Sequence, residues 1–197
     1  MQGLIQKLKN HVLVESQNPN FKHHKWYLKY HLEIVERISL ELCDIYKSAD
    51  RDMVLLLVWL HDYEKILSFA KQEKLDYLKT KEKLVDFGFS HAMILKIISY
   101  LLTIDQKNYL DLKQAAIEVK IVSSADAASH LVGPFHQLWW YENPEKDYEE
   151  LMADNIKKAW IDWNKKIVLP EIKLAFKDRY ELLLEQSGKI PNKFLEL

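Results

Sequence analysis

The sequence predicts an all-α fold, a compact multi-helix bundle, on three observations. Helix breakers are sparse: four glycines and five prolines in 197 residues leave long uninterrupted stretches between them. Within those stretches apolar residues return at three- and four-residue steps, as Leu28, Leu32, Val35, Ile38, Leu42 and Ile45 do, which is the spacing of one buried helix face. No segment carries the alternation of a half-buried strand.

In chain order the helices fall near 2–15, 23–47, 50–66, 72–87, 90–103, 111–131, 134–141, 146–166 and 170–186. The first is amphipathic, and its Gln, Lys and Asn residues interrupt any apolar run of the kind a secretory signal needs. The second carries the stripe named above. The third follows the polar joint Ser48-Ala49-Asp50 and contains the longest apolar run, Met53 to Leu60. The fourth and fifth are separated by Phe87-Gly88-Phe89-Ser90, where Gly88 suits a left-handed stop and Ser90 a cap. Small and apolar residues dominate the sixth, from Ile121 to His130, and Gly133-Pro134 ends it. The seventh, Phe135 to Tyr141, is dense in aromatics; with Trp160 and Trp163 these read as core, the other reading being the wall or lid of a substrate pocket. The last two are bounded by Pro144, Pro170 and Gly188, and the tail 188–197, with two breakers, is expected to be loosely attached.

The length suits one domain spanning 1–197. Lys plus Arg (28) almost cancels Asp plus Glu (29), so no global field draws the chain to nucleic acid or an anionic membrane, and an anionic substrate must be attracted locally. Basic and aromatic residues are not interleaved, which gives nucleic-acid binding no support. The eight-residue run Met53–Leu60 is far short of the roughly 20 residues that span a bilayer. Cys43 is the single cysteine; it excludes an internal disulfide or a thiolate cluster, reads as a small core residue, and fits a cytoplasmic location. The sequence leaves the oligomeric state open, a homo-oligomer included.

The chemistry concentrates in a few positions. The apolar run ends by delivering His61 and Asp62 side by side, and a buried imidazole and carboxylate need partners. Alone, such a pair more often satisfies itself or nearby backbone. Its company changes that: His31 and Asp126 interrupt apolar stripes in two other helices. Two imidazoles and two carboxylates form a mixed nitrogen and oxygen set suited to one divalent ion, Mn, Co, Mg, Ni, Fe or Zn, with room for water and substrate.

The ordered pattern His31, then His61-Asp62, then Asp126, in an all-helical chain, resembles the HD superfamily of metal-dependent phosphohydrolases. The resemblance covers about residues 23–132 and implies an HD-type helical domain whose metal is held by those four residues. It leaves the helices at 134–186 without a motif. Family members with two metals add histidines between the doublet and the last aspartate, where this chain has only His91, so one metal is expected. The residues after the doublet give His-Asp-x-x-Lys, the lysine form of the motif.

Helical spacing adds neighbours. Lys65 lies one turn beyond the doublet and could pair with Asp62 or a bound phosphate; its other reading is a solvated lysine. His130, four residues after Asp126, and His24, two turns before His31, could contact a phosphate, move a proton, or be ordinary hydrogen-bonded histidines. Glu64 reads as an exposed ion-pair partner or an acid–base group, Lys22 and His23 as a solvated helix start or a local positive patch. The expected function is hydrolysis of a phosphate ester in a nucleotide or other small phosphorylated metabolite. Asp62, Lys65 and His130 would be catalytic, Asp62 or Asp126 accepting the water's proton, and His24, Lys65 and His130 would hold the substrate. The alternatives are a non-catalytic nucleotide-sensing module and a di-iron oxygenase. On this reading Asp126→Ala or His61→Ala removes activity and leaves the fold largely intact, and stability survives even in Asp126→Asn.

Overall fold

Seven of the ten residues of the helix Arg51–Leu60 are buried, from Met53 to Leu60, because its sequence is apolar on every side. Burying a side chain of this kind stabilises by about 1.5–3 kcal/mol, and the other helices gather around this rod to supply the contacts. The computed structural model describes residues 1–67, 76–106, 110–188 and 192–195. Among them every regular element is helical, as expected.

The helices are α1 (Gln2–Ser16), α2 (Glu33–Ile45), α3 (Arg51–Leu60), α4 (Tyr63–Leu67), α5 (Leu78–Phe87), α6 (His91–Asp105), α7 (Ile117–Ser129), α8 (Phe135–Tyr141), α9 (Tyr148–Ile161) and α10 (Pro170–Gln186). Helix α7 is central, packing on α2, α3, α6 and α10. Its small residues Ser123, Ser124, Ala125, Ala127, Ala128 and Ser129 are fully buried and let the neighbours approach closely. One apolar cluster runs from Ile5 in α1 to Ile172 in α10.

Local chemistry fixes the ends. Asp50 caps α3 by accepting from the Met53 amide at 3.1 Å, and its own amide donates to Glu118. Gly88 takes the left-handed stop after α5 at φ 90°, and Ser90 caps α6. Glu64 is buried rather than exposed: its Oε2 accepts from the Thr80 amide at 3.0 Å and hydroxyl at 2.6 Å. It caps the first turn of α5, whose own preceding residue, Tyr77, offers no side-chain cap.

Four expected helices differ from the sequence reading where function concentrates. The stretch 23–47 passes through a wide turn at Leu28–Leu32, closed by the Glu33 amide on the Leu28 carbonyl, before α2 begins. The stretch 50–66 breaks at His61-Asp62, and 146–166 changes to a second wide turn at Asp162–Lys166, closed by the Ile167 amide on the Asp162 carbonyl at 2.9 Å. Wide turns of this kind recur at functional sites because they re-aim side chains. The stretch 111–131 starts as a short turn capped by Asp111 and becomes regular only at Ile117. Residues 72–75 of the expected fourth helix, and 189–191 and 196–197 of the expected loose tail, lie outside the described residues; Phe194 and Leu195 are exposed.

The aromatic segment corrects its expectation. Only His136 of α8 is buried, and Phe135, His136 and Trp139 line a cavity of about 430 Å³ with Asn155, Lys158 and Ile161 of α9. Trp160 is half exposed, while Trp163 packs against the core and stacks on Tyr180. The helix is too short, and too much at the surface, to bury rings on both sides.

Candidate metal centre

His31 projects from the wide turn before α2, His61 and Asp62 from the break between α3 and α4, and Asp126 from the last turn of α7. Their tips meet. His31 Nε2 lies 3.2 Å from His61 Nε2, and Asp62 Oδ2 lies 3.5 Å from each of them. Asp126 Oδ1 is 3.7 Å from His31 Nε2 and 3.9 Å from His61 Nε2.

Hydrogen bonding behind the rings fixes which nitrogen is bare. Ser129 Oγ donates to the Asp126 carbonyl at 2.7 Å, so only its lone pairs remain for His31 Nδ1 at 2.9 Å; the His31 proton therefore sits on Nδ1. His61 Nδ1 donates to the Val58 carbonyl at 2.7 Å. Both Nε2 atoms thus present lone pairs, to each other and to two carboxylate oxygens. Four acceptors with no donor among them repel unless a cation lies between them. Such backing of ligating histidines by oxygen acceptors is the usual outer support of a metal site.

Each carboxylate has one oxygen turned to the histidines and the other bound by a lysine. Lys65 Nζ donates to Asp62 Oδ1 at 2.5 Å, and Lys166 Nζ donates to Asp126 Oδ2. Burial alone would raise both carboxyl groups. Lys65 with the two histidines beside Asp62, and Lys166 with His130, His61 and His31 beside Asp126, outweigh it and hold both well below the usual carboxylate range. Burial lowers His31, against the pull of Asp62 and Asp126, which favours a metal over a proton as the missing cation.

His130 joins the cluster. Its ring stacks on His31 with centroids 5.2 Å apart, its Nε2 lies 3.4 Å from Asp126 Oδ1, and its Nδ1 lies between two partners, Asp162 Oδ2 at 2.8 Å and the Lys158 ammonium at 2.9 Å. Burial, then the Lys158 ammonium, push its pKa down to about 3, so the ring is neutral at ordinary pH. No family model, curated protein or solved structure matches this chain. The chemistry of the site therefore rests on its own geometry.

The structure brings together all four expected ligands, with His130 and Lys65 beside them. It does not bring in His24, whose Nδ1 is tied to the Phe21 carbonyl at 2.8 Å and which makes no contact with the four. Two turns of separation would place it on the His31 side only in a continuous helix, and the chain is not regular there. Lys22 and His23 form no open patch; they bind Asn143 and Glu142 in the joint between α8 and α9.

Sequence reasoning missed the cations and the carboxylate supplied after Gly133. Lys166, only 4% exposed, lies between Asp126 and Asp162, with Asp162 Oδ1 at 3.7 Å. Lys158 donates to Asp162 Oδ2 at 2.6 Å, and burial lowers its pKa to about 8. Ser123 and Ser124 of α7 donate to the Lys166 carbonyl, anchoring the turn that carries it. A signal was present: Lys158, Asp162 and Lys166 recur every four residues with alternating charge, one stripe of a helix.

Proposed function

We propose that this chain is a metal-dependent phosphohydrolase of HD type, acting on a phosphate ester of a nucleotide or another small phosphorylated metabolite. The observation that carries the reading is the convergence of four acceptors, from His31, His61, Asp62 and Asp126, with no donor among them. That donor-free set fits a divalent ion, which those four residues would hold. A bound ion of this kind supplies an acidified water and offsets charge developing on a phosphoryl group.

The chain's own residues do the rest. Lys65 has a side chain 51% exposed and Asp62 one 19% exposed, against 9% or less for His31, His61 and Asp126, so substrate approaches on the Asp62–Lys65 side. There the Lys65 ammonium meets a phosphate oxygen and fixes its orientation. The lowered pKa of Asp62 and Asp126 suits ligands and makes both weak proton acceptors, so in this reading they hold the ion rather than serve as base. His130, neutral and held by Asp162 and Lys158, turns its Nε2 toward the site.

The test is a screen of phosphorylated metabolites with Mn, Co, Mg, Ni and Zn supplied separately. The reading expects metal-dependent release of phosphate from at least one of them, lost in His61→Ala. Divalent-metal binding without turnover on any substrate would instead support the sensing module.

A further inference from the structure

We propose that His130 is a metal ligand, a third imidazole on the same ion, and that the centre therefore selects a transition metal over magnesium. This rests on the metal centre proposed above and adds a ligand that the four-residue pattern does not contain.

Two overlapping triads carry the inference. His31, His61 and Asp62 bring one ligand atom each within 4.8 Å of one another, and so do His31, Asp126 and His130. In the second triad His130 Nε2 faces Asp126 Oδ1 at 3.4 Å, while Nδ1 lies 2.8 Å from Asp162 Oδ2 and 2.9 Å from the Lys158 ammonium. An ion at Nε2 selects the tautomer whose proton sits on Nδ1 and is donated to Asp162, so the Nε2 lone pair and Asp126 Oδ1 meet on the same ion.

The triads share His31, and that sharing decides the number of ions. Its Nδ1 proton is engaged by Ser129, so the ring has one lone pair, on Nε2, and one lone pair serves one ion. Two separate ions, one per triad, would compete for it. A single ion collecting ligands from both triads does not, and Asp126 Oδ1 lies within 3.9 Å of all three Nε2 atoms.

The surroundings of His130 are those of a built ligand. The ring is buried, stacked on His31 and covered on its other contacts by Phe135, with centroids 4.1 Å apart. Asp162 behind it is 1% exposed and is itself held by Lys158 and Lys166. A carboxylate, histidine and metal in series is a recurrent way to fix a ligating ring. With three imidazoles and two carboxylates the site favours Fe, Co, Ni or Zn, since imidazole suits these ions and Mg prefers oxygen alone.

The experiment is nitrogen NMR of the full chain labelled with ¹⁵N in histidine, titrated with Zn²⁺ alone. A bare ring nitrogen shifts strongly when it binds the ion, so ligands are counted directly in the unaltered protein. Three Nε2 resonances, of His31, His61 and His130, should move together at one equivalent. His130→Gln, which assigns the third resonance, should weaken Zn²⁺ binding by about tenfold or more, and Asp162→Asn by about 10- to 100-fold. Movement of only the His31 and His61 resonances, with Zn²⁺ affinity unchanged in His130→Gln, would overturn the inference and leave the four-ligand centre standing. If no resonance moves, the metal centre itself falls.

Discussion

Lys166→Met tests whether the C-terminal helices belong to the site. The substitution keeps the apolar stem and deletes the ammonium between Asp126 and Asp162. At an effective dielectric near 20, an ion pair at the 3.7 Å separating Lys166 from Asp162 is worth about 4 kcal/mol, and the closer contact with Asp126 is at least comparable. Sparing the ammonium its desolvation offsets part of that loss. What remains is two buried carboxylates with Lys158 as the nearest cation, and breaking a buried pair from one side costs about 3–5 kcal/mol. For a chain of this length that is a fall in Tm of about 6–20 °C. The assay is thermal unfolding by circular dichroism in chelator at neutral pH, repeated with Zn²⁺. Metal should recover more stability in the variant than in the wild type, because a divalent ion beside Asp126 replaces part of the missing charge. A fall of less than about 1 kcal/mol, or equal stabilisation by metal in both proteins, would refute the reasoning.

Asp126→Asn should cost about 2–5 kcal/mol, contrary to the intact fold that the sequence alone suggests, because it strands the buried Lys166; chemical denaturation of the metal-free protein checks it. Removing metal from loaded wild type should lower Tm, and an excess of 100 times Kd should restore about 2.7 kcal/mol. Lys158 should titrate near 8 by NMR of labelled lysine. Its folded pKa lies below the unfolded value, so between about 8 and 10.4 the unfolded chain binds more protons and this group's contribution to stability rises with pH. That rise should be absent from Lys158→Met, and an ordinary lysine titration in the wild type would remove its basis. Asp162, held low by Lys158, His130 and Lys166 against its own burial, contributes stability that is fully present above about pH 4 and is lost as pH falls further, so Asp162→Asn should flatten the acid limb of a pH–stability profile.

The helices and the four converging residues were legible because each left a local mark. Apolar periodicity marks α2, an all-apolar run marks α3, and polar residues interrupting those patterns mark His31, His61 and Asp126. The wide turns at Leu28–Leu32 and Asp162–Lys166, both of which pack on α7, left none, since their composition is that of any helix. Lys158, Asp162 and Lys166 look like surface charges in sequence. Only the fold buries Asp162 and Lys166 and lays the partly exposed Lys158 beside them, with Ser123 and Ser124 holding the Lys166 backbone. Glu64 shows the converse: a residue that reads as solvent-facing is buried because α5 lacks a cap of its own.

The order in which the site's charges occur along the chain bears on its synthesis. The imidazoles and carboxylates of His31, His61, Asp62 and Asp126 all leave the ribosome before Lys158, Asp162 and Lys166. A nascent chain that has reached Gly133 carries the acceptors without the C-terminal ammonium groups that later offset them, and at that stage a divalent ion is the strongest counter-charge within reach. Metal supply during translation should therefore raise the fraction of chains that gather α2, α3 and α7 before α9 arrives, and scarcity should expose that half-built core to proteolysis.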